Sequence, residues 1–232
     1  MATLSTWFSF GAVGMAVGTL ALAYGFKLVD EDDRRRYSIL VAVPLIAVGA
    51  YGLMAVGISS ISTQSGESVY VLRYIDWLLT TPLHVLYLGL LAGAAMGTIY
   101  RSIGLMALTI VLGFAGAVLD GILGWLLYIL GSAAFMGVIY YAMYDFDDAV
   151  QQKPDATVAL YRKLRAFLIV LWLMYPFIWI LAPVGLGLMN IETSALVISY
   201  LDIVSKVGFG LIALSGQLVV TETADASGVT AD

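Results

Sequence analysis

The sequence contains no cysteine, a single histidine and few charged residues. The lack of cysteine excludes disulfide bonds, thiolate metal sites and a cysteine nucleophile, and one histidine cannot build a histidine-based metal site, so no metal is expected. Only 12% of the 232 residues are charged and 61% are hydrophobic, with a mean hydropathy of +0.96. Soluble globular domains carry about 25% charged residues. The composition therefore predicts a membrane protein.

Polar breaks divide the chain into seven apolar segments, each long enough to cross a bilayer, which takes about 20 apolar residues per helix. The segments cover residues 5–27, 37–60, 70–95, 100–119, 122–145, 158–183 and 191–219. They predict an all-α membrane protein, a seven-transmembrane-helix bundle that forms one domain over 1–219. The acidic residues 220–232 are expected to form a disordered cytoplasmic tail.

Nine of the eleven basic residues lie at or near the ends of the apolar segments, all on one side of the predicted bundle. They follow segment 1, lie between segments 3 and 4, or lie between segments 5 and 6: Lys27, Arg34, Arg35, Arg36, Arg101, Lys153, Arg162, Lys163 and Arg165. The connections on the other side contain no lysine or arginine. By the positive-inside rule, the N-terminus is extracellular and the C-terminus is cytoplasmic.

Four residues are the plain cases of charges at bilayer depth, Arg73 and Asp76 in segment 3 and Asp202 and Lys206 in segment 7. Spacings of three and four residues put each pair on one helix face. A structural salt bridge would explain one such pair, but charges at bilayer depth are costly and commonly functional. Because Lys206 lies near the middle of its segment beside a carboxylate, the pattern is typical of a lysine that condenses with an aldehyde.

Three motifs resemble those of archaeal microbial rhodopsins, and the likeness runs over essentially the whole chain. The motifs are RYIDWLLTTPL (73–83), LWLMYPFIWI (171–180) and YLDIVSKVGFG (200–210). The resemblance implies that Lys206 binds all-trans retinal covalently as a protonated Schiff base. It also implies that Asp76 is the primary counterion and proton acceptor and that Asp202 is the second counterion. Arg73 would be the guanidinium that stabilises both carboxylates.

The same resemblance implies an aromatic pocket around the retinal. Trp77, Trp172, Tyr175 and Trp179 would sandwich the polyene, and Tyr51, Thr80, Thr81, Ser132, Phe135 and Pro176 would complete the walls. Ordinary helix packing would explain any one of these residues alone.

His84 lies two helical turns after Asp76 on the same face. The resemblance implies that this is a pocket position near the middle of the polyene, one that influences colour in related rhodopsins. A histidine in an apolar wall commonly does no more than form a hydrogen bond with a neighbouring residue. Our hypothesis is that His84 also tunes the absorption to shorter wavelength, because it favours the ground-state charge distribution over the excited one.

The proton path separates a pump from a sensor. Related proton pumps carry a carboxylic acid eleven residues after the counterion, where this chain has Tyr87. A phenol, with an ordinary pKa of about 10, is a poor donor at neutral pH, so a slow cycle is expected. Glu192 stands at a predicted release position, but Val184 replaces its partner glutamate. The sequence therefore favours a photosensory receptor and leaves a slow light-driven outward proton pump as the alternative.

Four stretches are most similar to those of the sensory rhodopsin II group and its relative middle rhodopsin: LTTPL, GFAGAV, YLDIVSKVGFG and the opening LSTWFSFGAVGMAVGT. Such receptors are not enzymes, and they signal phototaxis through a two-helix membrane transducer that docks on segments 6 and 7. Tyr200 and Asn190 match docking positions, although Tyr200 could equally be an interfacial aromatic residue that faces lipid. Ser205 and Tyr175 match a hydrogen-bonded signalling pair. We expect a multi-pass protein in the cell membrane of a halophilic archaeon, a transducer partner and no nucleic acid, and leave a homo-oligomer open.

Overall fold

The computed structural model describes residues 3–58, 60–63, 65–119 and 121–227, with side chains up to 220. Its α-helices are α1 (Leu4–Gly25), α2 (Glu31–Ala55), α3 (Val71–Ala92), α4 (Met96–Val118), α5 (Gly121–Met143), α6 (Asp145–Val150), α7 (Asp155–Leu181), α8 (Ile191–Ile203) and α9 (Phe209–Ser227). The described residues form seven spans long and apolar enough to cross a membrane. The first four spans are α1 to α4, the fifth joins α5 and α6, and α7 is the sixth. The predicted seven-helix membrane fold is confirmed.

The seventh span is not a regular α-helix throughout. Between α8 and α9 lies a π-helical segment, Val204–Gly208, which contains Lys206. Segments of this kind are rare and often lie at functional sites. The span is therefore irregular where the sequence places its buried amine.

Local sequence explains several helix ends. Thr3 and Thr6 form a capping box at the start of α1. The Asn190 side chain accepts a hydrogen bond from the Thr193 backbone N–H at 2.8 Å and so caps α8. Gly93 ends α3 with a φ of 70°, a left-handed conformation that glycine adopts without strain.

A two-stranded hairpin lies between the second and third spans, which the sequence analysis does not predict. Strand β1 (Ser60–Ser62) pairs antiparallel with β2 (Ser68–Tyr70). The second helix is expected to reach residue 60 but ends at Ala55, because the chain turns at Gly57 with a φ of 81°. Val69 of β2 is buried, so the hairpin packs against the bundle.

Consecutive spans pack side by side, and the seventh packs against both the first and the sixth, which closes the ring. Small residues allow close approach at several contacts. A methyl group on Gly116 of α4 would lie 2.9 Å from the carbonyl oxygen of Gly124 in α5. The interior therefore depends on glycine as well as on large apolar side chains.

The C-terminal boundary differs from the prediction. The seven-helix domain is expected to end at 219, but α9 continues to Ser227. Val220 packs against the main hydrophobic core, so the chain has a reason to stay helical beyond 219. The last residues, 228–232, lie outside the described part of the chain, and a disordered tail there stays a prediction.

Candidate functional site

Asp76, Asp202 and Lys206 meet deep in the bundle, between the third and seventh spans. Their exposed fractions are only 1%, 0% and 2%. Lys206 Nζ donates to Oδ2 of Asp76 and, at 3.3 Å, to Oδ2 of Asp202. Charges buried this deeply are tolerated when they are paired and hydrogen-bonded. The two spans are therefore joined by one cation shared between two carboxylates.

Asp202 is held by neutral donors as well as by the lysine. Tyr51 donates its hydroxyl to Oδ2 at 2.8 Å, and Tyr175 donates to Oδ1 at 2.5 Å. The Trp77 indole N–H lies 3.1 Å from both oxygens. Hydrogen bonds to an ionised acceptor are stronger than neutral ones. This network therefore stabilises the ionised form of Asp202 and fixes the position of its carboxylate.

Asp76 has a different environment. Its Oδ1 is buried and has no hydrogen-bond partner among the described residues. The hydroxyl of Thr80 donates to the Asp76 backbone carbonyl at 2.7 Å, not to the carboxylate. A proton can therefore be added to Oδ1 without breaking an existing hydrogen bond, which suits Asp76 as the acceptor.

Arg73 is buried but forms no ion pair with the two carboxylates that it is predicted to stabilise. Its guanidinium lies against the rings of Phe8 and Tyr70, with centroid distances of 5.6 and 5.5 Å. Within the described part of the chain it forms no ion pair, and its Nε and Nη2 have no hydrogen-bond partner. The aromatic faces attract the cation, and its charge acts on Asp76 only through space.

A cavity of about 820 Å³, including the part that opens to the outside of the bundle, adjoins Lys206. Most of the predicted wall residues line it: Trp77, Thr81, His84, Ser132, Phe135, Trp172, Tyr175, Pro176 and Trp179. Rigid aromatic walls that lead to a buried lysine fit a long, flat polyene aldehyde such as retinal. The residues present therefore suit this cofactor.

Two predicted wall residues lie elsewhere, and others were missed. Tyr51 donates to Oδ2 of Asp202 and Thr80 donates to the Asp76 backbone carbonyl, and neither lines the cavity. The missed residues are Tyr74, Met106, Thr109, Ile110, Gly113, Tyr128 and Gly131. Tyr128 stacks on Trp179 with the ring centroids 4.3 Å apart. Tyr128 lies four residues before Ser132, so the two share a helix face, and the prediction of Ser132 as a wall residue could have indicated Tyr128 as well.

His84 and Tyr87 occupy successive depths along the third span. The Nδ1 of His84 lies 3.0 Å from the Thr80 carbonyl oxygen, so the ring has the local partner expected of a wall histidine. Its effect on colour stays a prediction. Tyr87 is fully buried outside the cavity, and its hydroxyl accepts a hydrogen bond from Gln217 Nε2 at 3.0 Å.

The residues predicted to signal or to release protons occupy three different environments. The hydroxyls of Tyr175 and Ser205 lie 3.4 Å apart, which joins the sixth and seventh spans beside the cavity. Tyr200 is 58% exposed on the outside of the bundle. Glu192 is exposed in the first turn of α8, beside the capping residue Asn190. Docking of a partner at Tyr200 and Asn190 stays a prediction.

The chain matches the family of bacteriorhodopsin-like proteins over residues 2–220. Sensory rhodopsin-2 of Haloarcula vallismortis is 52% identical over 219 residues, 94% of this chain and 92% of that protein. Sensory rhodopsin-2 of Natronomonas pharaonis is 42% identical, covering 92% and 89% of the two chains. Archaerhodopsin-2 of a Halobacterium species is 35% identical, covering 94% and 86%.

A solved structure agrees with this match. The thermophilic rhodopsin from Rubrobacter xylanophilus superposes with a TM-score of 0.91 at 32% identity, covering 96% of this chain and all of that one. Membership in the family implies retinal bound to a lysine, and Lys206 is the buried lysine beside the cavity. The chain therefore belongs to the bacteriorhodopsin-like family of multi-pass membrane proteins.

Proposed function

We propose that the protein is a sensory photoreceptor in which light moves a proton from the nitrogen of Lys206 to Asp76. The observation that carries the proposal is the position of Nζ, which lies between Asp76 and Asp202 beside an aromatic cavity. The two sensory rhodopsins support sensing over pumping, because they are more similar to this chain than archaerhodopsin-2.

All-trans retinal, when bound to Lys206 as a protonated Schiff base, supplies light absorption and an isomerisation that moves the bound nitrogen relative to its counterions. The chain supplies the rest. Trp77, Trp172 and Trp179 restrict the shape of the cavity and exclude water. Asp202, fixed by Tyr51 and Tyr175, keeps its negative charge beside the nitrogen.

Proton transfer from Nζ to Asp76 neutralises both groups. The ion pair between the third and seventh spans is then lost, although Asp202 keeps its neutral donors. A buried contact that depends on one proton is a two-state element, which the proton can bias. Because Tyr175 joins Asp202 to Ser205, we infer that the change reaches the sixth span.

We propose that a two-helix membrane transducer docks on the outer surfaces of the sixth and seventh spans and relays a phototactic signal. Tyr200 offers an exposed phenol on this surface. The lack of a carboxylic acid at position 87 supports a slow return of the proton. A slow return prolongs the signalling state and limits transport, which favours a receptor over a pump.

The first test is to produce the protein with all-trans retinal and to illuminate weakly buffered cells while external pH is recorded, with and without a protonophore. We expect a coloured, photoactive protein and a nearly flat pH trace. Strong acidification that the protonophore abolishes would instead establish an outward pump. Lys206→Ala should lose the colour, whereas Lys153→Ala, which removes an exposed amine, should keep it.

A further inference from the structure

The sixth span is interrupted beside the retinal cavity by Pro176, which lies inside α7. Proline has no backbone N–H, so the carbonyl of Trp172 loses its regular partner within the helix. Helices bend sharply at such positions more readily than elsewhere. Tyr175, which donates to Asp202, comes directly before the interruption. The parts of the span before and after Pro176 can therefore respond differently to a change at Lys206.

Tyr128 of α5 holds the sixth span at this interruption. Its hydroxyl donates to the Pro176 carbonyl oxygen at 3.1 Å. Its ring stacks on Trp179, with the centroids 4.3 Å apart and the planes at 15°. Trp125, one turn earlier in α5, packs edge-on against both rings. The fifth span thus grips the sixth at Pro176 and at Trp179, three residues further on.

The extracellular end of the sixth span is held by its own chain as well. The backbone N–H of Leu186 donates to the Ile180 carbonyl at 2.7 Å, and that of Met189 donates to the Leu181 carbonyl at 2.7 Å. The carbonyls in the last turn of a helix have no partner within the helix, and the connection to α8 supplies these two. The span is therefore held on both sides of Trp179.

The part of the sixth span before Pro176 has space beside it. Its polar contacts to the fifth span lie near the cytoplasmic end, where Tyr161 donates to the Ala142 carbonyl at 2.5 Å and Arg165 pairs with Asp147. Between these contacts and the retinal cavity, a separate pocket of about 320 Å³ with a mostly apolar lining borders α7. Side chains that line a void lack packing partners on one side, so this part of the span can move at a lower cost.

We propose that Tyr128 is a positioning residue that fixes Pro176 and Trp179 to the fifth span, so that the sixth span beyond Pro176 keeps its place when the Lys206 nitrogen loses its proton. The inference rests on the proposed function, in which the change reaches the sixth span through Tyr175. Because Tyr175 precedes Pro176, any bend falls between the residue that takes up the change and the residues that Tyr128 holds. Trp179 then stays a fixed wall of the retinal cavity.

The first experiment measures distances at both ends of the sixth span in the dark and under illumination. The native chain has no cysteine, so introduced pairs can carry spin labels. Leu53→Cys with Leu181→Cys reports on the ends of the second and sixth spans that are predicted to be extracellular. Arg35→Cys with Lys163→Cys reports on their cytoplasmic ends. All four side chains are exposed, so the labels should not disturb the core.

In protein with Tyr128 intact, light should change the cytoplasmic distance and leave the extracellular distance as it is. Tyr128→Phe keeps the stacked ring but loses the hydroxyl, and the extracellular distance should then shift in the light by about 1–2 Å, the size of ordinary helix shifts. Tyr140→Phe is the matched control, because Tyr140 lies on the same helix and is exposed. If the proton leaves Lys206 normally and Tyr128→Phe behaves like this control, the inference is wrong and the proposed function stands.

The second experiment measures hydrogen exchange of the backbone amides at 177–181 in the dark, retinal-bound protein. Tyr128→Phe should speed this exchange about two- to tenfold, the effect of one neutral hydrogen bond on a local opening, and Tyr140→Phe should leave it unchanged. Equal rates in the two variants would show that the hydroxyl does not hold the span, which would overturn the inference.

The outcomes separate the two proposals. If no proton leaves Lys206 in the unaltered protein, the proposed function fails, and the dark exchange rates still decide whether Tyr128 fixes the sixth span. Should Tyr128→Phe fail to fold, exchange in the unaltered protein decides. Amides 177–181 should then exchange equally slowly in the light and in the dark, and faster exchange in the light would refute a fixed position beyond Pro176.

Discussion

Removal of the Tyr175 hydroxyl should destabilise the protein, because Asp202 loses one of its shortest hydrogen bonds. In Tyr175→Phe, Oδ1 keeps only the Trp77 indole, at 3.1 Å. A hydrogen bond to a charged group contributes about 1.5–3 kcal/mol. We expect a loss of that size in the free energy of unfolding. Tyr51→Phe should cost less, because Oδ2 keeps Lys206 and Trp77.

The two hydroxyls serve one carboxylate, so their effects should not add. After either deletion, the remaining tyrosine becomes more important to the buried anion. The double variant should therefore lose more than the sum of the single variants, with a coupling of about 0.5–3 kcal/mol. A loss of stability in the double variant that exceeds the sum of the single losses distinguishes two bonds to one anion from two independent packing contacts.

The assay is reversible unfolding of retinal-bound protein in mixed micelles, followed by the visible absorption band. Tyr144→Phe is the matched control, because that side chain is 59% exposed and should change stability by less than about 0.5 kcal/mol. If Tyr175→Phe behaves like the control, or if the two deletions are additive, Asp202 is not held as an anion by its tyrosines.

Other variants test the acceptor, the colour and the packing. Asp76→Asn should shift the absorption to longer wavelength and abolish the flash-induced loss of the proton from Lys206; a normal proton signal would contradict our assignment. His84→Leu should also shift the maximum to longer wavelength, and an unchanged maximum would rule out tuning. Gly116→Ala should lower the free energy of unfolding by about 1–3 kcal/mol, since the added methyl meets the backbone of the fifth span. Gly97→Ala faces open space and should instead be neutral or stabilising by about 0.5–1 kcal/mol in the same assay.

The spans and the charge cluster could be predicted because both depend on local sequence. A long apolar run specifies a membrane helix without reference to its neighbours. Spacings of three and four residues put Arg73 with Asp76, and Asp202 with Lys206, on single faces. Charged side chains within a membrane almost always face the bundle interior. The contact between the third and seventh spans could therefore be predicted as well.

The remaining features depend on contacts between distant segments. Arg73 lies against Phe8 from the first span, and no spacing within the third span indicates that ring. The fourth span lines the retinal cavity with Met106, Thr109 and Ile110, which look like any lipid-facing stretch in the sequence. The hydrogen bond between Tyr87 and Gln217 likewise joins residues 130 positions apart.

The π-helical segment makes the seventh span one residue longer than a regular α-helix would need to be. Deleting one residue within Val204–Gly208 would let α8 and α9 keep their present faces. The same deletion inside α9 would turn every later residue by about 100° around the axis. A one-residue deletion around Lys206 should therefore be compatible with folding. It should not be compatible with function, because the widened turn that presents the amine would disappear.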